Sequence, residues 1–241
     1  MGTVERKLTL RSEILNNERT LWIREPKNTH GKLDLLVVLD AELYRNRVQV
    51  PDILESLFES GDLDKLLVVY VSCVDMDTRW IECPCYPPFS EFVFKELLPR
   101  IHEEYPDTKS SQERVIAGLS YTGLAASFAA LSNDGLFTKV ISQSGSYWSN
   151  DCWLIKQFDG RVLQHPPAFF LNVGDKETQG YVWHKEDVIQ KISQVEGVER
   201  FRDMLVNNGY TVRFETFSGG HSAEAWATSL PNALKWAFPQ R

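Results

Sequence analysis

The pattern of apolar and polar residues predicts alternating strands and helices along most of the chain. Residues 3–12 and 19–25 alternate between apolar and polar positions, with Asn16 and Asn17 between them. That period is typical of half-buried strands joined by a turn, so we predict an antiparallel strand pair at the N-terminus. From residue 33 onward, nearly continuous apolar runs alternate with segments whose apolar residues recur at helical spacing.

This second part of the chain indicates an α/β architecture. Further strands are predicted at residues 33–39, 65–74, 114–119, 140–142, 168–173 and 210–217. Helices are predicted at residues 49–60, 89–105, 121–132, 186–208 and 229–238, the last with Pro231 in its first turn. Such alternation implies a mostly parallel sheet with helices on both faces, which we assign to one domain over residues 1–241. A long loop is predicted at residues 75–88, as a candidate wall of a ligand site at the carboxyl ends of the strands.

Composition narrows the class of protein. The 241 residues are 43% hydrophobic and 24% charged, which is ordinary for a globular chain, and the net charge of −7 argues against a general nucleic-acid surface. The charged first residues and the lack of a long apolar run argue against a signal peptide and a membrane anchor, so we expect a cytoplasmic protein. The four cysteines are expected to be free thiols, and Cys83 and Cys85 have no second pair for zinc, so neither metal nor cofactor is expected.

A turn centred on Ser120 is the strongest chemical signal. Residues 117–123 read Ala-Gly-Leu-Ser-Tyr-Thr-Gly and join a predicted strand to a predicted helix. This layout is typical of a nucleophile elbow, usually Gly-x-Ser-x-Gly, although here Thr122 holds the last position and Gly123 follows it. Such a turn exposes the serine hydroxyl near the positive end of a helix. A serine that merely caps the helix after Gly118 is the other interpretation.

Of the five histidines, His221 is the best candidate for a base that activates this serine. It follows the last predicted strand through two glycines, which places its imidazole at the carboxyl edge of the sheet. We expect structural roles for His30, His102 and His165, and a position near the cleft for His184.

The remaining catalytic groups are predicted from position along the chain. Glu177 and Asp175 both follow the strand at residues 168–173, and either fits the order serine, acid, histidine that is typical of α/β-hydrolases. We favour Glu177 and keep Asp175 as the alternative. The backbone N–H groups of Tyr121 and Glu42 fit the two positions of an oxyanion hole.

Four segments in the same order resemble the hydrolase domain of the enterochelin esterase family, a branch of the esterase D-like α/β-hydrolases. They are residues 115–120, residues 142–148, the sequence Gly219-Gly220-His221 followed by Trp226, and residues 79–85. The resemblance spans residues 33–238 and implies an α/β-hydrolase fold and hydrolysis of an ester, with a siderophore lactone or another aryl ester as candidates. Full-length members have an N-terminal domain where this chain has the short strand pair, and usually glycine where it has Thr122.

Carried over by position, the resemblance implies that Ser120 is the nucleophile, His221 the base and Glu177 the acid, with Arg79 near an anionic substrate. Five aromatic residues near the predicted cleft fit either an acyl or aryl pocket or packing in the core. They are Tyr147, Trp148, Trp153, Tyr181 and Trp183, of which Tyr147 and Trp148 are our candidates for substrate contact.

Three functions are compatible with these residues. The first is a serine hydrolase that cleaves a carboxylic ester through an acyl-enzyme. The second is an acyltransferase that uses the same acyl-enzyme, and the third is an inactive ligand-binding protein whose elbow is distorted by Thr122. The expected partner is a small-molecule ester rather than a nucleic acid or a membrane, and the oligomeric state is open.

Overall fold

The N-terminal strand pair is present in the computed structural model, which describes residues 3–26, 32–64 and 66–240. Strands β1 (Thr3–Ser12) and β2 (Asn17–Pro26) pair antiparallel from Thr3 opposite Pro26 to Ser12 opposite Asn17. Asn16 ends the turn with a φ of 49°, a left-handed conformation that asparagine tolerates. The predicted pair is therefore confirmed, whereas His30 lies outside the described residues.

The pair continues into one larger sheet. The other strands are β3 (Leu35–Leu39), β4 (Leu67–Val71), β5 (Arg114–Leu119), β6 (Lys139–Gln143), β7 (Ala168–Gly174), β8 (Val182–Lys185), β9 (Val188–Gln190) and β10 (Val212–Phe217). Eight of the ten strands within the described residues form a sheet in the order β1-β2-β4-β3-β5-β6-β7-β10. Strands β4, β3, β5, β6, β7 and β10 are parallel, and β2 is antiparallel to both β1 and β4. The predicted mostly parallel sheet is confirmed.

Helices cover both faces of this sheet. They are α1 (Ala41–Asn46), α2 (Val50–Ser60), α3 (Met76–Glu82), α4 (Pro87–Phe92), α5 (Leu98–Glu104), α6 (Ser120–Ser132), α7 (Ser149–Phe158), α8 (Gln194–Asn207) and α9 (Ala223–Ala237). The π-helical segment Val93–Leu97 joins α4 to α5. Helices α4, α5, α6 and α8 pack in one buried cluster, and α1, α2 and α9 in the other. None of the helices in the described ranges is long and apolar enough to cross a membrane.

Two predicted segments beside the cleft differ from the structure. The predicted loop at residues 75–88 contains α3, whose N-terminus is capped by the Asp75 side chain accepting from the Thr78 N–H at 2.7 Å. The predicted helix at residues 186–208 begins only at Gln194, after Ser193, whose side chain caps it. The preceding residues form the antiparallel hairpin β8–β9. Val188 and Ile192 are spaced as on one face of a helix. In the structure Val188 lies on β9 and Ile192 follows the hairpin, and both pack against the buried core.

Two other helices depart from the prediction. Helix α9 begins at Ala223, capped by Ser222, so Pro231 lies inside the helix and not in its first turn. Helix α7 was not predicted, and Asn150, Asp151 and Cys152 near its start have left-handed φ angles of 48°, 56° and 60°. Because the helical turn is interrupted at these residues, the apolar residues of α7 need not follow a regular helical spacing, which is the signal that predicts a helix.

A buried ion pair connects the N-terminal strand pair to α3. Arg19 of β2 donates from Nη2 to both carboxylate oxygens of Glu82, at 2.8 and 2.9 Å. The two side chains are 1% and 5% exposed, and Arg19 also donates to the Ser72 carbonyl at 3.2 Å. Because each charge is almost removed from water, each depends on the other for compensation.

We predict that Glu82→Ala lowers the free energy of unfolding by about 3–5 kcal/mol, because it leaves the Arg19 charge buried without its partner. Urea unfolding followed by circular dichroism measures this loss. The matched control is Lys95→Ala, which breaks an ion pair with Glu91 whose side chains are 55% and 53% exposed. That control should change stability by about 0.5 kcal/mol or less. Equal effects of the two variants would contradict the prediction.

Candidate active site

Ser120 lies at the sharp junction of β5 and α6, with a φ of 52° in the left-handed region. The turn requires close backbone contact, since a Cβ at Gly118 would lie 2.1 Å from the Thr122 carbonyl oxygen. A Cβ at Gly123 would lie 2.7 Å from the Ser142 Oγ of β6. These two glycines therefore let α6 begin directly against the ends of two strands.

Thr122 fits this turn through its hydroxyl group. The side chain is buried, and its Oγ1 accepts from the Leu119 N–H at 3.1 Å and donates to the Leu119 carbonyl at 2.8 Å. Threonine thus satisfies two backbone groups of the residue before the serine. Its presence in place of the usual glycine leaves Ser120 in the left-handed conformation that an elbow requires.

Three predicted residues meet at the carboxyl edge of the sheet. The Ser120 Oγ lies 2.9 Å from the His221 Nε2, and the His221 Nδ1 lies 2.6 Å from the Glu177 Oε2. The residues follow β5, β10 and β7 respectively. The Glu177 side chain is 2% exposed, whereas that of His221 is 42% exposed. The Glu177 carboxylate is therefore enclosed, while water can reach the imidazole.

Asp175 contacts the backbone near His221 rather than its ring. Its Oδ1 accepts from the Gly219 N–H at 2.9 Å, and the Lys176 N–H donates to the Gly219 carbonyl at 2.9 Å. Gly219 has a φ of 148°, which a side chain would disfavour. Of the two carboxylates that the sequence left open, the structure places Glu177 on the imidazole and Asp175 on the turn that precedes it.

The opposite oxygen of Glu177 is also occupied. Its Oε1 accepts from the Gly174 N–H at 2.8 Å and from the Ser144 Oγ at 2.6 Å. Trp226 donates from Nε1 to the Ser144 Oγ at 3.0 Å, and its ring meets the His221 ring edge-on at 4.7 Å. The sequence alone predicts no role for Ser144 or Trp226, although both lie in segments that carry the family resemblance.

Ser120, His221 and Glu177 line a cleft with a volume of about 360 Å³ and an aromatic wall. Trp148 and His184 stack with ring centres 5.0 Å apart, and Tyr121 meets Trp148 edge-on at 5.5 Å. Trp80 of α3 meets Tyr121 edge-on at 4.9 Å. The His184 Nε2 lies 3.0 Å from the Gln190 Oε1 of β9. Both residues line the cleft, so His184 lies near the cleft as expected.

Tyr147 is not part of this wall, so its predicted contact with substrate needs correction. The residue is 1% exposed and stacks on Phe201 with ring centres 3.8 Å apart. Its hydroxyl forms hydrogen bonds of 2.7 Å with Ser127 and Ser142. Burial raises the pKa of Tyr147, so the phenol remains protonated in the core. Trp148, the next residue, is the one that lines the cleft.

The other three aromatic candidates lie away from the cleft lining. Trp153 packs edge-on against Phe128 at 5.8 Å. Tyr181 and Trp183 are 79% and 67% exposed, the latter on β8. Trp80 and Tyr121 instead line the cleft with aromatic rings. Burial raises the pKa of the Tyr121 phenol to about 12.

Arg79 lines the cleft, but its charge is compensated by Asp40. Its Nε and Nη2 lie 2.8 and 2.7 Å from the Asp40 Oδ2, and the two side chains are 11% and 7% exposed. Burial is the largest influence and disfavours the guanidinium charge, but Asp40, Cys83 and Cys73 together outweigh it and raise the pKa of Arg79. The Glu42 carboxylate accepts from the Cys73 N–H at 3.4 Å. The oxyanion-hole roles of the Tyr121 and Glu42 N–H groups stay predictions.

Comparisons with known proteins agree with this architecture. A family model described as "Putative esterase" matches residues 12–237. An iron(III) enterobactin esterase from Dickeya dadantii is 28% identical over 233 residues, which cover 95% of this chain and 54% of that protein. The uncharacterized protein YjcH from Bacillus subtilis is 25% identical over 240 residues, which cover 97% of each chain.

A solved structure extends this comparison. The enterobactin esterase FES from Shigella flexneri, crystallised in the presence of enterobactin, superposes with a TM-score of 0.84 at 25% identity. The match covers 97% of this chain and 59% of that one. The chain thus spans little more than half the length of its enterobactin esterase relatives. The predicted resemblance and the α/β-hydrolase fold are confirmed.

We predict that Thr122→Val destabilises the protein by about 1–3 kcal/mol, because the buried Leu119 N–H loses its acceptor while side-chain volume is kept. Thr122→Ser is the control, since it keeps the hydroxyl and should lose less. Urea unfolding curves measure both. If the valine variant proves as stable as the serine variant, the hydroxyl contributes nothing to the elbow.

Proposed function

The chain belongs to the esterase family, a family of carboxylic ester hydrolases, and on this premise we propose that it hydrolyses its ester through an acyl-enzyme on Ser120. The observation that carries the proposal is the unbroken series of contacts from the Ser120 Oγ through the His221 ring to the Glu177 carboxylate. A serine hydroxyl is a weak nucleophile unless a neighbouring base accepts its proton.

In the proposed acylation step, the Ser120 Oγ attacks the ester carbonyl carbon while the His221 Nε2 accepts the hydroxyl proton. Glu177 holds the imidazole in the required tautomer and stabilises its charged form. The N–H groups of Tyr121 and Glu42 would donate to the oxyanion. His221 then gives the proton to the departing alkoxide, which leaves as the alcohol.

In the proposed deacylation step, His221 removes a proton from a water molecule, whose oxygen attacks the acyl carbon. His221 then gives this proton to the Ser120 Oγ as the bond between that oxygen and the acyl carbon breaks, and the free acid leaves. The 42% exposure of the His221 side chain supports water as the acceptor, since solvent reaches the base. An acyltransferase would need to keep water from the same intermediate. Hydrolysis is therefore our choice over acyl transfer.

The contacts of Thr122 also argue against an inactive ligand-binding scaffold. That alternative rested on a distorted elbow, but the Thr122 hydroxyl bonds to Leu119 and Ser120 keeps its contact with His221. A serine that only capped α6 would need no imidazole at 2.9 Å.

For the substrate we propose an aryl or lactone ester of the siderophore type. The wall formed by Trp80, Tyr121, Trp148 and His184 offers flat surfaces for aromatic groups. The similarity to enterobactin esterases supports this class, although the match covers only part of their length. The cytoplasmic location, the lack of nucleic-acid and membrane partners and the single domain stay predictions.

We predict that Ser120→Ala and His221→Ala each lower kcat/KM for an activated short-chain ester by about 10³-fold or more, because each removes a proton-transfer partner. Glu177→Gln should lose about 10²-fold or more, since an amide N–H facing Nδ1 favours the wrong tautomer. Initial rates at pH 7 measure these losses. In the control Asp175→Asn, the amide oxygen can still accept from Gly219, so most activity should remain. Loss in the Asp175 variant with activity kept in the Glu177 variant would instead identify Asp175 as the acid.

We further expect a fluorophosphonate to label Ser120 alone, with the adduct located by peptide mass spectrometry and absent from Ser120→Ala. With an ester and an added alcohol, the free acid should be the main product. An unlabelled serine would favour the ligand-binding alternative. A predominance of the exchanged ester would favour acyl transfer.

A further inference from the structure

We propose that Ser144 and Trp226 are positioning residues for the acid of the triad, with Trp226 setting the direction of the Ser144 hydroxyl hydrogen. The inference rests on the proposed function, because it assigns a purpose to contacts behind Glu177. Ser144 is completely buried in the loop after β6, and Trp226 is 4% exposed on α9.

The chemistry of the indole group determines how these hydrogen bonds run. An indole Nε1–H can only donate, so the Ser144 Oγ must accept the bond from Trp226 at 3.0 Å. The hydroxyl has one hydrogen of its own, and the Glu177 Oε1 lies 2.6 Å away. An ionised carboxylate only accepts, so the Ser144 hydrogen is directed to Glu177.

This arrangement assigns the two carboxylate oxygens to different tasks. Oε1 accepts from both Ser144 and the Gly174 N–H, while Oε2 faces the His221 Nδ1. With Oε1 held by two donors, the carboxylate cannot rotate without breaking both bonds. Oε2 therefore remains in place to accept from Nδ1–H, which leaves Nε2 free to accept from Ser120.

The Ser144 backbone is itself fixed from both sides. Its N–H donates to the Asn172 carbonyl at 2.8 Å, and its carbonyl accepts from the Gln194 side chain. The Gln194 Oε1 in turn accepts from the Trp148 indole at 2.7 Å. Ser144 also adopts a φ of 46°, which is uncommon for a residue with a side chain. These contacts connect the acid to the aromatic wall of the cleft.

Trp226 could instead act only by packing against His221, since the ring centres are 4.7 Å apart. The two roles predict different results when Ser144 is absent. If Trp226 acts through the Ser144 hydroxyl, its N–H has no further effect once that hydroxyl is removed. If Trp226 acts by packing, its substitution costs the same with or without Ser144.

The test is a double-mutant cycle with Ser144→Ala, Trp226→Phe and the variant that combines them. With an activated short-chain ester, we expect kcat to fall by about 10- to 100-fold in Ser144→Ala and by about 3- to 10-fold in Trp226→Phe, with KM within about twofold of wild type. The combined variant should have the kcat of Ser144→Ala within about twofold. Trp236→Phe, on the same helix and away from Ser144, is the matched control and should keep the wild-type kcat.

Losses in kcat that multiply in the combined variant would overturn the inference, as would wild-type kcat in Ser144→Ala. Urea unfolding of each variant checks folding, and if Ser144→Ala does not fold, wild-type kcat in Trp226→Phe is sufficient to overturn it. Failure of the proposed function is distinguishable, because then the wild-type protein itself would neither hydrolyse the ester nor label at Ser120.

Discussion

The arrangement of the site depends on a carboxylate that is buried and yet fully supplied with hydrogen-bond donors. The Glu177 side chain is 2% exposed, and a charge so far from water is stable only where every oxygen is paired. Its partners come from the ends of three strands, since Gly174 closes β7, Ser144 follows β6 and His221 follows β10. Parallel strands that end at one edge of the sheet bring these three donors together around the Glu177 carboxylate.

Unusual backbone conformations recur at this edge. Ser120 after β5 and Ser144 after β6 have φ angles of 52° and 46°, and non-glycine residues adopt such angles at a cost of about 1–3 kcal/mol. The two loops support one another, because the Ser146 N–H donates to the Ser120 carbonyl at 3.0 Å. Gly118 and Gly123 let α6 pack closely against the strands beneath these turns. This close packing leaves little room for either turn to change its conformation.

Much of the sheet and the positions of Ser120 and His221 could be predicted from the sequence, because their signals lie in short stretches of the chain. Buried strands show as continuous apolar runs, and Ser120 and His221 follow strands through recognisable turns. Other features depend on contacts between distant residues. Tyr147 and Trp148 are adjacent aromatic residues, and only the fold decides that one enters the core and the other the cleft. The hairpin β8–β9 has a helix-like apolar spacing, and the role proposed for Ser144 exists only through Glu177 and Trp226, 33 and 82 residues away.

Helix α3 connects the N-terminal strand pair to the wall of the candidate site. At its C-terminal end, Glu82 is held by Arg19 of β2, and one turn earlier Arg79 is held by Asp40 at the start of α1. Trp80, between these two anchors, is part of the cleft wall. The position of that wall thus depends on one ion pair to the strand pair and another to the loop after β3. Because both ion pairs are almost fully buried, neither can separate without leaving a charge uncompensated. The ion pair to Arg19 therefore fixes the position of α3, and with it Trp80 of the cleft wall, relative to β2.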